Sequence, residues 1–430
     1  MRLVAKIKRV TKSKKIGFLL LSAEIRKSAA DTVKLSQKLK GKKISIEREF
    51  PKDSPEPKAG ELIILDEQES RDALTGLIKP VKIASPAHDE VLALYDDTNS
   101  DGYPELVMKN SFIELQASPV RGGLITHFAE TGREGLISNQ IIFAIKTKIV
   151  GGIFIKSHDK SDFSPKDTKF NSKIPCEGKL IRSKSEFKAL LKGKVGGLNT
   201  QLSYELMPGS PILKLAITID NSGKKSKSKS VRFEMLFNCR QVGLKNSGIK
   251  IFEPSGKIKH FAQKTLYRVW EIMEEWIDYF GDIRTDKDSF VVLKRTDTGE
   301  GLLVSFNHKD ITRVWMDKYG IMPHIRLIFN KFRIGKNKQA AREVFLASLT
   351  DFTVDNGYLI GYTKVSNSTA VIAAGDRISR LNLISNGEKN EVKLEQIGQK
   401  LFAQTFDKTP QAIEFPRTGM RLEIEGGNYE

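Results

Sequence analysis

Short runs in which apolar and polar residues alternate cover most of the chain. Leu3, Ala5, Ile7 and Val10 keep a period near two and predict a first strand, and Gly17 to Ser22 predicts a second. From Glu24 to Leu39 the apolar positions Ile25, Ala29, Val33, Leu35 and Leu39 take up roughly helical spacing, with Gly41 beyond the end, which predicts a helix. Ile44 to Ile46 and Glu61 to Leu65 return to strand character, separated by Pro51, Pro55 and Pro57. Residues 1–85 are therefore expected to form a small α/β domain.

From Val91 onward the text changes to apolar runs punctuated by Gly, Asn, Asp and Pro, among them Phe112 to Leu115, Ile141 to Ile149, Gln201 to Leu206, Ile212 to Ile219 and Leu302 to Phe306. Many short strands at this spacing predict a large antiparallel sandwich over residues 86–352. Thr265 to Phe280 (TLYRVWEIMEEWIDYF) interrupts it as an amphipathic helix or an aromatic rim segment. After Thr350 a further set of short strands, Tyr358 to Tyr362 through Met420 to Ile424, suits a separate small β-sandwich over residues 353–430. At about 150 residues per domain, a chain of 430 residues has room for three such parts.

Composition changes this picture in one respect. Hydrophobic residues at 39% and charged residues at 29% are ordinary for a globular chain, but the net charge is +19. Lysines crowd Lys6 to Lys15, Lys34 to Lys43 and Lys224 to Lys229. Such charge attracts nucleic acid, anionic surfaces or acidic polysaccharide without choosing among them, and solvated faces account for lysine runs equally well. No zinc-finger spacing, RNP-type aromatic signature or GxxG clamp accompanies them. Cys176 and Cys239 lack CxxC spacing, which argues against a zinc or disulfide framework and for a reducing compartment such as the cytoplasm. The basic Met1 to Lys15 followed by apolar Ile16 to Ser22 imitates a secretion signal only superficially, since the apolar run is at the short limit, and it reads better as a buried strand. No run reaches the ~20 apolar residues of a membrane span.

Asp97, Asn99, Asp101, Tyr103 and Glu105 form the pattern DxNxDGxxE. Hard oxygens at alternate positions of a tight turn converge on Ca2+, with Gly102 permitting the bend, so a structural calcium site is expected there, Tyr103 giving its carbonyl. Position twelve counted from Asp97 is Met108, which excludes an EF-hand. The competing reading is an Asx-rich turn without metal.

Asp101, Gly102, Glu105, Asn110, Pro119, Gly122, Gly123 and Glu134 fall in an order that resembles the opening of a galactose mutarotase-like domain, in particular the C-terminal domain of prokaryotic 4-α-glucanotransferases and related amylases. Gly151 and Gly152, LSYELMPGSPILKLAITIDN (202–221), VRFEMLFN (231–238) and GLLVSFNHKDITRVWMDKYG (301–320) extend the resemblance to about 260 residues. It implies a mainly β chain, a large antiparallel β-supersandwich between the small N-terminal α/β domain and the small C-terminal β-sandwich. The first 80 residues loosely resemble the small α/β accessory domains ahead of catalytic domains in some glycoside hydrolases.

Enzymes of the resembled family that interconvert anomers use a His on the strand ending in HpyFNL and a Glu in LE.q.fPd, because ring opening needs one proton delivered and another removed. Here the corresponding strand reads Phe233-Glu234-Met235-Leu236-Phe237-Asn238, without His, and Ile325 to Phe332 holds no carboxylate. The resemblance therefore implies binding or scaffolding rather than mutarotase catalysis.

His88, His127, His158, His260, His308 and His324 occur singly, and no HExxH, Walker loop or GxSxG elbow is present. Glu271, Glu274, Glu275 and Asp278 offer carboxylates that a glycosidase needs, at a spacing that equally describes a solvated helix face. A sugar site combines an aromatic platform with amides, carboxylates and guanidinium groups. The candidates are Trp315, Asp317, Tyr319 and His324 on the late strands, Asn238 and Arg240 at the end of theirs, and Trp270 or Trp276 at a rim. Three readings follow: a carbohydrate-binding protein, with an acidic glycan reconciling sugar contact and charge; an assembly scaffold whose basic surface docks on nucleic acid or an anionic cell surface; and a glycoside-active enzyme.

Overall fold

The computed structural model describes the backbone of residues 3–12, 18–28, 43–49, 59, 62–64, 90–96, 105–118, 123–133, 137, 141–144, 147–150, 152–157, 177–182, 187–195, 198–222, 229–231, 233–238, 248–262, 279–282, 289–296, 299–317, 324–330, 332–336, 338–366 and 368–424. Two compact units result, residues 1–84 with 95–105, and residues 85–94 with 106–430.

In the first unit Lys43–Glu49, Phe18–Ser28, Leu3–Lys12 and Leu62–Ile64 form one antiparallel sheet in that order. The helix expected over 24–39 is corrected at its start: Glu24 to Ser28 continue the strand. Leu19, Leu21, Ala23 and Ile25 repeat every second residue, and the strand is paired on both sides up to Glu24 and with Leu3–Lys12 beyond it, so ladders of backbone hydrogen bonds outweigh a helical spacing carried by single residues. Residues 29–39 lie outside the described ones. Among the described residues the whole chain is β, apart from the 3-10 turn His308–Asp310.

The second unit holds four larger sheets and two of two strands each, Ile141–Ala144 with Thr147–Val150 and Lys229–Val231 with Phe332–Ile334. The first has nine strands in the order Tyr279–Asp282, Ile311–Asp317, His324–Phe329, Phe233–Asn238, Gly152–Ser157, Leu124–Glu130, Ile113–Ser118, Glu105–Lys109 and Leu92–Asp96. The second also has nine, with Leu198–Leu206, Ile212–Asp220, Gln339–Leu349, Gly301–Phe306 and Phe290–Arg295 at its centre. Three polar anchors tie the two together. Tyr204 Oη donates to the Gly123 carbonyl at 2.5 Å, and Asn110 Nδ2 donates to the carbonyls of Met207 and Ser210 at 2.8 and 2.7 Å.

The second sheet is buried on both faces. Phe290, Val292, Leu303, Phe345, Ala347 and Leu349 share a core with Leu359, Ile372, Leu401 and Ala403 of the third sheet. Val291, Leu293, Leu302, Val304 and Leu346 alternate with them and are buried as well. This explains why GLLVSF is apolar throughout instead of alternating: a strand covered on both sides has no solvent face. Gly398 sits where a Cβ would stand 3.0 Å from the Phe345 ring, which lets the third sheet close onto the second. The third sheet (Asp351–Asp355, Tyr358–Val365, Ser368–Ala374, Leu401–Phe406, Glu395–Gly398) then packs through Ile360, Tyr362, Val371 and Phe402 on Leu381, Ile413, Phe415 and Leu422 of the fourth. The third and fourth sheets thus make a two-sheet sandwich whose inner sheet also shares a core with the second sheet.

Candidate functional site

The first sheet meets the second through one face, and its other face carries the candidate residues. Phe233, Met235 and Phe237 alternate along their strand with every side chain fully buried, as do Ile325, Leu327 and Phe329 on the next, and these form the face toward the second sheet. The positions between them belong to the opposite face.

Register gathers most of the predicted sugar residues there. Asp317 pairs with His324, His324 with Asn238 and Asn238 with Gly152, so four adjacent strands place these residues in one row. Trp315 pairs with Arg326, Arg326 with Leu236 and Leu236 with Phe154, which makes the neighbouring row two residues along. Asn238, far from the others in sequence, thereby adjoins Trp315, Asp317 and His324. Tyr319 and Arg240 lie outside the described residues, as do Trp270, Trp276 and the acidic segment 271–278.

The same face carries polar groups on the strands at the other side of Gly152. Ile113–Ser118 reads I-E-L-Q-A-S; its Ile, Leu and Ala are fully buried toward the second sheet, and Glu114 and Gln116 take the intervening places. Gln116 pairs with His127 and Ala117 with Ile125, leaving Thr126 as an extra residue. That bulge reverses the parity of the strand and sets His127 beside Gln116, on the face away from Phe128 and the core. Thr126 Oγ1 donates to the Gln116 carbonyl at 3.3 Å across it. Lys109 Nζ lies 3.2 Å from Glu114 Oε2, with side chains only 6% and 16% exposed, and Gln116 Nε2 donates to Glu114 Oε1 at 3.2 Å. The Glu114 carboxylate thus answers a lysine withdrawn from water.

Gly152 is the middle of this arrangement. Its φ is +126°, and a Cβ would stand 2.4 Å from the Ile125 carbonyl oxygen, so glycine alone lets the Gly152–Ser157 strand lie against Leu124–Glu130 at this point. Reasoning from sequence missed Lys109, Glu114, Gln116 and His127 as a group. The alternation of Ile113, Glu114, Leu115 and Gln116 was the available signal, and the bulge hid His127.

Of the calcium set, Glu105 opens the strand Glu105–Lys109 and is fully buried; Asp97, Asn99, Asp101 and Tyr103 lie outside the described residues. Among the described residues no three His, Cys, Asp or Glu side chains gather as a metal cluster elsewhere. A second buried carboxylate, Glu130, accepts from Thr350 Oγ1 at 3.2 Å and lies 3.3 Å from Arg133 Nε; burial raises its pKa above the ordinary value, and Arg133 and Thr350 oppose that rise. It sits at the end of its strand, away from the rows above. No helix among the described residues is long and apolar enough to cross a membrane.

No family model and no curated protein matches the chain. Solved structures do. A galactose mutarotase related enzyme from Lactobacillus acidophilus is similar at 9% identity and TM-score 0.41, over 58% of this chain and 99% of that one. The 4-α-glucanotransferase of Thermococcus litoralis is similar at 10% identity and TM-score 0.30, over 60% of this chain and 39% of that one. A TPR-domain containing protein from Parabacteroides distasonis is similar at 12% identity and TM-score 0.40, over 57% of this chain and 47% of that one. The chain thus spans less than half the length of the last two. These likenesses concern the course of the backbone and assign no residue a role.

Proposed function

We propose that the outward face of the first sheet binds carbohydrate, and that it does so without mutarotase catalysis. The observation carrying this reading is the row Asp317, His324, Asn238 and Gly152 lying next to the row Trp315, Arg326, Leu236 and Phe154. An indole, a guanidinium, a carboxylate, an amide and an imidazole on adjoining positions are the groups that a ring with one apolar face and many hydroxyls requires. The strand Phe233–Asn238 brings no histidine and Ile325 to Phe332 no carboxylate, so the proton donor and acceptor for anomer exchange are not supplied at the positions the family uses. The net charge of +19 supports an acidic glycan as the ligand.

The test is binding of the purified chain to a glycan array at low and moderate salt, with calcium and with chelator. Saturable binding to one sugar class, weakened by Trp315→Ala, is the expected result. Acidic glycans failing to bind at low salt removes the charge argument. Sugar-independent, salt-sensitive retention on RNA or anionic vesicles turns the reading into the scaffold one. Reducing-sugar release abolished by Glu274→Gln or Glu275→Gln turns it into the glycosidase one.

The loop from Asp97 to Glu105 is proposed to hold one structural Ca2+. Hard oxygens at alternate positions of the pattern DxNxDGxxE, with Gly102 permitting the bend, support it. Calcium is expected to raise the unfolding midpoint and chelator to reverse the rise, and Glu105→Gln to abolish that response. A midpoint indifferent to calcium removes the site.

A further inference from the structure

Asn-Gly occurs twice in the chain, at Asn356-Gly357 and Asn386-Gly387, and both pairs are two-residue hairpin loops. In each, Asn and Gly take positive φ, 46° and 88° in the first and 50° and 80° in the second, the turn that suits the twist of the flanking strands. Asn-Gly is also the dipeptide whose side-chain amide is most open to attack by the next backbone nitrogen, because glycine has no Cβ to obstruct closure of the five-membered ring. Two copies of one turn in one chain differ only in their surroundings.

Those surroundings are opposite. Gly357 is buried, and its N–H donates to the Pro254 carbonyl at 2.6 Å. Asn356 Nδ2 donates to Asp355 Oδ2 at 3.0 Å, and Gly256 of the neighbouring loop lies against Val354 and Asp355. Before the Gly357 nitrogen can reach Asn356 Cγ, this hairpin has to leave the loop that holds it. Gly387 is exposed, no atom stands within 4 Å of a Cβ there, and its N–H meets no acceptor among the described residues. The Asn386 N–H donates to Gln411 Oε1 at 3.0 Å, which holds the turn from its other side and leaves the Gly387 nitrogen uncovered. An exposed tip opens at little cost, whereas a buried one opens only with what packs on it.

We infer that Asn386 is a site of spontaneous covalent modification, converting to aspartate and isoaspartate in the folded chain, and that the fold protects Asn356. The Gly387 nitrogen gives up its proton to base and bonds to Asn386 Cγ; the Cγ–Nδ2 bond breaks and Nδ2 leaves as ammonia, taking up a proton. Water then adds to one carbonyl of the resulting cyclic imide. Opening at Cγ restores the ordinary peptide link with an aspartate, and opening at the main-chain carbonyl leaves the chain running through the side chain as isoaspartate. One water is consumed, one ammonia is released and nothing is oxidised or reduced. Either product places a new carboxylate two residues before Glu388, and isoaspartate adds a methylene to a loop whose length fixes the register of Arg380–Ser385 against Glu388–Lys393.

The experiment is incubation of the full chain at mildly alkaline pH, in native buffer and in guanidinium chloride, with digestion and mass spectrometry of the peptides that carry the two sites. Chromatography separates the aspartate and isoaspartate forms. In native buffer Asn386 is expected to convert at least about 3- to 10-fold faster than Asn356, the factor for one hydrogen bond that must break before the Gly357 nitrogen is available, and its rate should rise with pH. In denaturant the two rates should draw together, and Asn386→Gln should remove the early native product. Equal native rates, a faster Asn356, or a ratio that denaturant leaves unchanged overturns the inference. So does a native chain in which neither site converts while both convert in denaturant, because the exposed tip then does not open. The comparison is made within the unaltered chain and needs no variant to fold.

Discussion

Replacing Gly152 by alanine tests the register on which the site depends. At φ +126° an L-residue is strained by about 1–3 kcal/mol whatever surrounds it. The added methyl would also meet the Ile125 carbonyl oxygen at 2.4 Å and Leu124 Cδ1 at 2.9 Å, contacts that must be relieved by moving one strand away from the other, at about 1–3 kcal/mol. The sum is about 2–6 kcal/mol. With ~2.1 cal/mol/K of unfolding entropy per residue, a unit this large should lose about 3–9 °C in its midpoint. Gly132 supplies the control. Its φ is +84° and no atom lies within 4 Å of a Cβ there, so Gly132→Ala should cost the backbone strain alone. Calorimetry or circular dichroism on both variants separates the steric part from the torsional part. Equal midpoints for Gly152→Ala and Gly132→Ala would refute the close approach of the two strands, and with it the continuity of the row from Asn238 to His127.

Tyr204→Phe removes the hydrogen bond to the Gly123 carbonyl that ties the first two sheets together, and should cost about 1–3 kcal/mol because a buried acceptor is left unanswered, read as a lower denaturant midpoint at unchanged slope. Glu130 has its pKa raised, first by burial, so the folded chain takes up a proton where the unfolded chain does not: its contribution to stability is present below the ordinary value of 4.5 and declines as pH rises from there through the raised value. Glu130→Gln should accordingly flatten the fall in midpoint over that window, and an unchanged pH profile would show that the carboxylate is not desolvated. Ending the chain at Thr350 should expose Phe345, Leu349, Phe290 and Leu303, which the third sheet covers; insolubility or strong binding of a hydrophobic dye is expected, and a soluble, cooperatively folding 1–350 chain would contradict the shared core.

Much of the fold was legible because strands write their own pattern locally. Ile212–Asp220, Gly301–Phe306 and the six-residue Leu401–Phe406 fall where apolar runs predicted them. Ala412–Phe415 was not foreseen: four residues between Pro410 and Pro416 are too few to show a period, and their burial comes from partners in the fourth sheet. The helix expected over 24–39 failed at Glu24 to Ser28 because strand pairing is a long-range gain that spacing alone does not reveal. Site residues divide in the same manner. Trp315, Asp317, His324 and Asn238 could be chosen by chemistry and by resemblance, yet the adjacency of Asn238 to His324 is a matter of register between strands far apart in sequence. His127 was passed over as one of six scattered histidines, since nothing in T-H-F announces a bulge.

The faces of the four sheets narrow where a ligand belongs. Both faces of the second and third sheets are occupied by packing, and the outward face of the fourth pairs Arg380 with Glu391, Lys389 with Glu414 and Arg421 with Glu423 in the open, where ion pairs contribute little and serve solubility. The outward face of the first sheet is different in kind. Lys109 and Glu234 are almost wholly buried there and Glu114 nearly so, although the core lies on the other side of the sheet. Val107, which pairs with Gln116 on the same face, is fully buried as well, so this face is packed too, and apolar residues in place of the charged pair would hold the sheet as well or better. Lys109→Met with Glu114→Leu should therefore leave the unfolding midpoint unchanged or higher. A double variant that loses stability would mean that the pair is retained for the fold.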